Sequence, residues 1–174
     1  MVIVNYHYQP KKLSYGSNAM RLKSIYPKLI TFDAESVWNG KTGGTATISE
    51  GHEIIFDTSQ TFGGMGQGVC PDELFITAIL GCLNNTFLDF QRRFDIQLVL
   101  VNLQGKATVE FHETGYLITG ITISGKIVVE EGELRTGKRC LELMKEYCHL
   151  TRSIQNCIPI QFDVTVSEEK STPQ

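Results

Sequence analysis

The stretch PDELFITAILGCLNNTFLDF, residues 71 to 90, constrains the fold more than any other part of the sequence. Pro71 suits the first turn of a helix, Asp72 and Glu73 complement the dipole there, and apolar residues continue to Phe90. At 1.5 Å per residue such a helix is about 30 Å long, enough to cross a domain. Phe75, Ala78, Ile79 and Cys82 recur at i, i+3, i+4 and i+7, which predicts that Cys82 lies on an apolar stripe. A helix of this length set among β segments needs cover on both sides, and a second copy of the chain can supply it.

The segments around it change period in an ordered way. LITFDAESVW (29 to 38), GTATIS (44 to 49) and HEIIFD (52 to 57) read as short strands separated by Asn39-Gly40, Gly43-Gly44 and Glu50-Gly51. A loop with glycines at 63, 64, 66 and 68 leads into the helix. After it, IQLVLVNLQGKATVEF (96 to 111) and YLITGITISGKIVVEE (116 to 131) read as a long hairpin turning at His112-Glu113-Thr114-Gly115. ELRTGKRCLELMKEYC (133 to 148) returns to helical spacing, LTRSIQN predicts a short helix, and PIQFDVTV a closing strand. The order β-β-β-α-β-β-α-β has too many consecutive strands for a regular βαβ array. It predicts an α+β fold with helices against a mostly antiparallel sheet. Residues 1–26 read as a polar arm, 27–168 as one domain and 169–174 as a polar tail.

A length of 174 residues and an apolar fraction of 41% suffice for a real core in a single domain. A formal charge of -3 argues against nucleic acid and anionic membranes as partners. No apolar run approaches the roughly 20 residues that span a bilayer, and MVIVNYHYQPKK does not resemble a signal peptide, so a cytoplasmic location is expected. The glycine-rich loop lacks the Lys-Ser/Thr of a phosphate loop and the order of a dinucleotide fingerprint.

Five cysteines, at 70, 82, 140, 148 and 157, form no CxxC pair and no zinc-type cluster, so no metal or other cofactor is expected. Each either packs or reacts. Cys82, inside the first long helix, and Cys148, at the end of the second, become neighbours if those helices pack together. A thiol oxidised to a sulfenic acid is protected when a nearby second thiol converts it to a disulfide. The first thiol must also ionise near neutral pH, which calls for a cation, because Cys82 is too deep in its helix to feel the N-terminus. Cys140 and Cys157 read as packing residues and Cys70 as a loop cysteine. His149 beside Cys148 suggests a Cys/His pair, but neighbours on a helix point in different directions. Phe62, Met65, Phe75 and Phe87 suit either the core or the lining of an apolar pocket.

Pro71-Asp72-Glu73-Leu74 followed by Cys82, then Glu146-Tyr147-Cys148 ahead of a short helix and a last strand, resembles the OsmC/Ohr family. The agreement runs from about Trp38 to Val166. In that family the reactive cysteine lies ten positions beyond an acidic residue at the helix start, as Cys82 lies beyond Asp72. The resemblance implies a mostly antiparallel sheet wrapped around two long central helices in an intertwined homodimer, with active sites at the subunit interface. It also implies a thiol-dependent reduction of organic hydroperoxides in oxidative stress defence. Cys82 attacks the O–O bond, Cys148 resolves the sulfenate, and a small dithiol of the lipoyl type reduces the disulfide.

Three departures bring the chain closer to the less characterised OsmC-like branch than to the Ohr peroxidases proper. The early turn Trp38-Asn39-Gly40-Lys41 offers a lysine where the peroxidases have an arginine, and lysine lacks the bidentate fork. Asp72 replaces the usual glutamate, and His149 stands where proline usually follows the second cysteine. Asp72 and Lys41 are the expected activating groups. The competing expectation is a non-enzymatic protein of this fold that binds a small apolar or thiol ligand in the dimer groove. A plainer one is a structural dimer whose cysteines only pack.

Overall fold

The computed structural model describes residues 27–170. The expected N-terminal arm, residues 1–26, and the end of the tail, 171–174, lie outside the described residues. Residues 27–33 are irregular and exposed, and one compact unit begins at Ala34.

The first three strands, β1 (Ala34–Trp38), β2 (Gly43–Ile48) and β3 (Glu53–Asp57), form an antiparallel meander. β1 was expected from residue 29 but starts at 34. Ala34 pairs with Ile48, the last residue of β2, so residues 29–33 have no strand to bond to. Among the described residues no helix packs closely on this sheet. Its exposed side chains include Val37, Trp38 and Ile55.

The long helix α1 runs Pro71–Phe94, four residues past its expected end. Its start is fixed by the Glu73 carboxylate, which accepts the Cys70 backbone N–H at 3.1 Å. Arg92 and Arg93 occupy its last turn, and Asp95 terminates it in the left-handed region at φ 54°. β4 (Leu98–His112) and β5 (Gly115–Glu130) form the expected hairpin, with His112 opposite Gly115. α2 (Leu134–Tyr147) and α3 (His149–Ile154) then cross over to β6 (Ile160–Glu169), which pairs parallel to β5. The strands therefore make two three-stranded sheets, and three of the four pairings are antiparallel. The fold is α+β, as the order of periods predicted.

The core lies where α1 and α2 meet the β4-β5-β6 sheet. Ile79, Leu83, Phe87 and Phe90 of α1 close on Cys140, Leu143 and Met144 of α2 and on Ile121, Ile123 and Ile127 of β5. This corrects the expected stripe. Ala78 is exposed, and Cys82 is half-buried at the margin of the Ile79-Leu83-Phe87 row rather than within it. The helix is apolar on more than one side, and the position of the sheet decides which side is buried. Gly105 of β4 allows α1 to approach, since a Cβ there would stand 2.7 Å from Ile76 Cγ1.

Candidate active site

Cys82 is held near the middle of α1, where the Thr86 hydroxyl donates to its carbonyl at 2.7 Å. Cys148 is not the last residue of a helix but the hinge between two. Its backbone is extended (φ -60°, ψ 112°), while its N–H still donates to Met144 O at 3.1 Å. α3 starts again at His149, and the Thr151 hydroxyl returns to Cys148 O at 3.2 Å. This break aims two successive side chains at α1.

The two sulfurs, 66 positions apart in sequence, stand 3.0 Å apart, and both are free thiols. A disulfide requires about 2.05 Å, so closing the bond needs a movement of about 1 Å. The pair is asymmetric. Cys148 is fully buried, whereas Cys82 is only half-buried and is the sulfur a substrate can reach. His149 Nδ1 lies 3.4 Å from Cys82 Sγ. The adjacency argument against a Cys/His pair thus fails for a physical reason. Cys148 and His149 do not share a helix, and the imidazole meets the cysteine across the helix pair rather than its sequence neighbour.

Burial pushes the Cys82 thiol above its ordinary value, and the hydrogen bond and charge of Cys148 push the same way. The Leu150 amide and the Thr86 hydroxyl oppose the rise. The buried thiol pair by itself therefore favours the protonated form, and ionisation at neutral pH depends on a cation.

The other expected site residues fall elsewhere in the chain. Asp72 occupies the first turn of α1, where its Oδ2 accepts from Cys70 Sγ at 3.6 Å. Ten residues of helix place it about 15 Å from Cys82. Lys41 is exposed in the β1–β2 turn, which is held by its N–H donating to Asn39 Oδ1 at 2.9 Å and by Trp38 Nε1 donating to its carbonyl at 3.0 Å. Within one chain the structure brings Cys148 and His149 to Cys82 and does not bring Asp72 or Lys41 there.

Cys140 is fully buried, and burial pushes its thiol up to about 11, which fits a packing role. Cys157, expected to pack, is exposed, because it sits in the turn after α3 with its N–H on Ile154 O. Phe87 is core, Phe75 is half-buried, and Phe62 and Met65 are exposed.

One residue was missed. Asp57, 2% exposed at the end of β3, gathers the glycine-rich loop. Its carboxylate accepts the Thr58 N–H at 2.8 Å and the Gln67 N–H at 2.9 Å. The Gln67 amide first, then the Thr42 hydroxyl and the Thr58 and Met65 amides, hold its carboxyl below the ordinary value against the opposing effect of burial. An acidic residue closing a strand immediately before a glycine-rich loop was the available signal.

The α1 helix carrying one thiol, the α2–α3 hinge carrying a second, and the supporting β4-β5-β6 sheet define a two-cysteine α+β protein. A family model described as OsmC-like protein matches residues 64–163, and the chain belongs to that family. Several solved structures share the fold. A hypothetical protein from Aquifex aeolicus is 16% identical, with 82% of this chain and 100% of that one covered and a TM-score of 0.67. An OsmC-like protein of unknown function from Vibrio cholerae is 14% identical, with coverage of 79% and 99% and a TM-score of 0.65. An organic hydroperoxide resistance protein from Elizabethkingia anophelis is 16% identical, with coverage of 85% and 100% and a TM-score of 0.61. No curated protein sequence matches the chain. Among the described residues no helix is long and apolar enough to cross a membrane.

Proposed function

We propose that this protein reduces organic hydroperoxides by thiol chemistry, with Cys82 as the attacking thiol and Cys148 as the resolving one. The observation that carries the reading is the 3.0 Å approach of two free thiols of unequal exposure. The Cys82 thiolate attacks the terminal peroxide oxygen, the O–O bond breaks, and Cys82 becomes a sulfenic acid while an alcohol leaves. Cys148 then attacks the sulfenic sulfur, water departs, and the Cys82–Cys148 disulfide forms. A small external dithiol of the lipoyl type returns both cysteines to thiols. The solved organic hydroperoxide resistance protein of the same fold supports this class of substrate.

The working form in this reading is a cytoplasmic homodimer. The uncovered β1-β2-β3 meander and its exposed Trp38 and Ile55 support a second copy. Asp72 lies about 15 Å along the same helix, so in this reading it acts on Cys82 from the partner subunit, and Lys41 with it. The competing ligand-binding reading draws on a groove of about 400 Å³ between α1 and β4, lined by Thr77, Leu80, Gly81, Asn84 and Leu100 to Leu103.

Stopped-flow consumption of cumene hydroperoxide by wild type, Cys82→Ser and Cys148→Ser separates the two. Peroxidase chemistry requires Cys82→Ser to be inactive and Cys148→Ser to stall after one turnover at a trappable sulfenic acid. Equal slow rates in all three proteins would leave the ligand-binding reading.

A further inference from the structure

We propose that His149 is a catalytic residue of this chain, the proton acceptor and counter-ion of Cys82 and the acid that protonates the departing alkoxide. The inference rests on the hydroperoxide reading for its substrate, but the activation of Cys82 can be measured without any peroxide.

Three observations converge on it. His149 Nδ1 stands 3.4 Å from Cys82 Sγ, close enough for the thiol proton to pass to the ring. The imidazole is exposed, so its cation keeps its hydration, while the sulfur it faces is half-buried. The backbone break at Cys148 starts α3 at His149 and sets the ring against α1, and the Leu150 amide of the same turn donates toward Cys82. Histidine is the side chain whose ordinary titration lies nearest neutral pH, which suits both halves of the task.

Other charged groups also stand on these elements. On α1, Asp89 pairs with Arg92 and Arg93. On α2, Lys145 pairs with Glu142, and Glu146 is exposed two residues before Cys148. On α3, Arg152 lies three residues past His149. Cys148 Sγ, at 3.0 Å, is a second titratable group in contact with Cys82.

The step balances as follows. The Cys82 thiol gives its proton to His149, leaving a thiolate beside an imidazolium. The thiolate bonds to the terminal oxygen of ROOH, the O–O bond breaks, and its electron pair leaves on RO⁻. The imidazolium proton passes to RO⁻. Cys82 ends as a sulfenic acid, ROOH has become ROH, and His149 is neutral again.

The test is the pH profile of Cys82 alkylation by iodoacetamide, read by peptide mass, in the full-length wild type, His149→Gln and His149→Lys. Wild type should alkylate fast at pH 7. His149→Gln should fall at least about tenfold at pH 7 and recover above pH 9, because each unit of raised thiol pKa removes tenfold of the thiolate. His149→Lys, a fixed cation, should restore fast alkylation at pH 7 but not the alcohol-forming turnover at the wild-type rate. A pH-independent loss in His149→Gln, or no loss, overturns the proposal. Cumene hydroperoxide turnover is run on the same samples. A wild type with the predicted alkylation profile but no turnover refutes the hydroperoxide reading and leaves the activation of Cys82 by His149 standing.

Discussion

Closing the Cys82–Cys148 bond should stabilise the protein by an amount set by the loop it closes. The two residues are 66 positions apart. In the chain-entropy model a loop of that length removes about 15 cal/mol/K from the unfolded ensemble, or about 4 kcal/mol at 25 °C. Native strain subtracts from this figure, but the sulfurs need to approach by only about 1 Å. Cys82 is half-buried, so rotation about side-chain bonds can supply that movement with the backbone of Cys148 held in place. A net gain of about 2 to 4 kcal/mol corresponds to a rise in Tm of roughly 4 to 16 °C for a chain of this size. The assay is thermal unfolding by circular dichroism, reduced against treated with one equivalent of hydroperoxide. Protein concentration is held fixed so that self-association does not contribute. Peptide mass mapping must find the Cys82–Cys148 link, and Cys82→Ser must show no shift. A mapped link with an unchanged or lowered Tm would refute the claim that the fold presents these thiols ready to bond.

Asp57→Asn should loosen the glycine-rich loop, read as faster proteolysis between residues 58 and 68. It should also remove part of the acid sensitivity. The wild-type carboxyl is held below 3.8, so its stabilisation is present above that pH and is lost as pH falls through the lower folded value. Cys140 acts in the opposite pH range. Its thiol ionises near 9.0 in the unfolded chain and about 11 in the fold, so stability should fall with rising pH between those values. Cys140→Ala should flatten that alkaline limb in urea melts taken from pH 8 to 11. Gly105→Val should cost about 1 to 3 kcal/mol by urea denaturation, because its side chain would enter the space of Ile76.

Most of the architecture was readable from period and punctuation, and the misses have local causes. The 96–111 and 116–131 runs alternate long enough to identify the hairpin, and its observed ends shift by only one or two residues. The strand expected from residue 29 shortened because a strand also needs a partner, and sequence period carries no information about how far β2 extends alongside it. Cys82 was assigned to the wrong row of α1 for a similar reason. Ile79, Leu83 and Phe87 fit helical spacing as well as Phe75, Ala78 and Cys82 do, and only the location of α2 and β5 selects between them.

The candidate site shows the same division between what is local and what depends on packing. The thiol pair could be anticipated because Cys82 falls in one long helix and Cys148 at the end of the next, and the resemblance to the OsmC/Ohr family selects Cys148 over Cys140. The activating group could not be placed while Cys148 and His149 were read as neighbours on one helix. Once the chain is broken at that residue, the objection to His149 disappears, since the break resets the direction of the next side chain and both the Cys148 sulfur and the imidazole meet Cys82. The geometry of α1 carries an equally simple constraint. Asp72 and Cys82 share one helix at about 15 Å, so no rotamer brings a carboxylate from the helix start to the thiol in the same subunit. Within one chain the imidazole that meets Cys82 comes from the α2–α3 side, where His149 stands 3.4 Å away. Where the resemblance implied a proline after the second cysteine, this chain sets an imidazole beside the thiol, and the proposed proton transfer gives that placement a physical meaning.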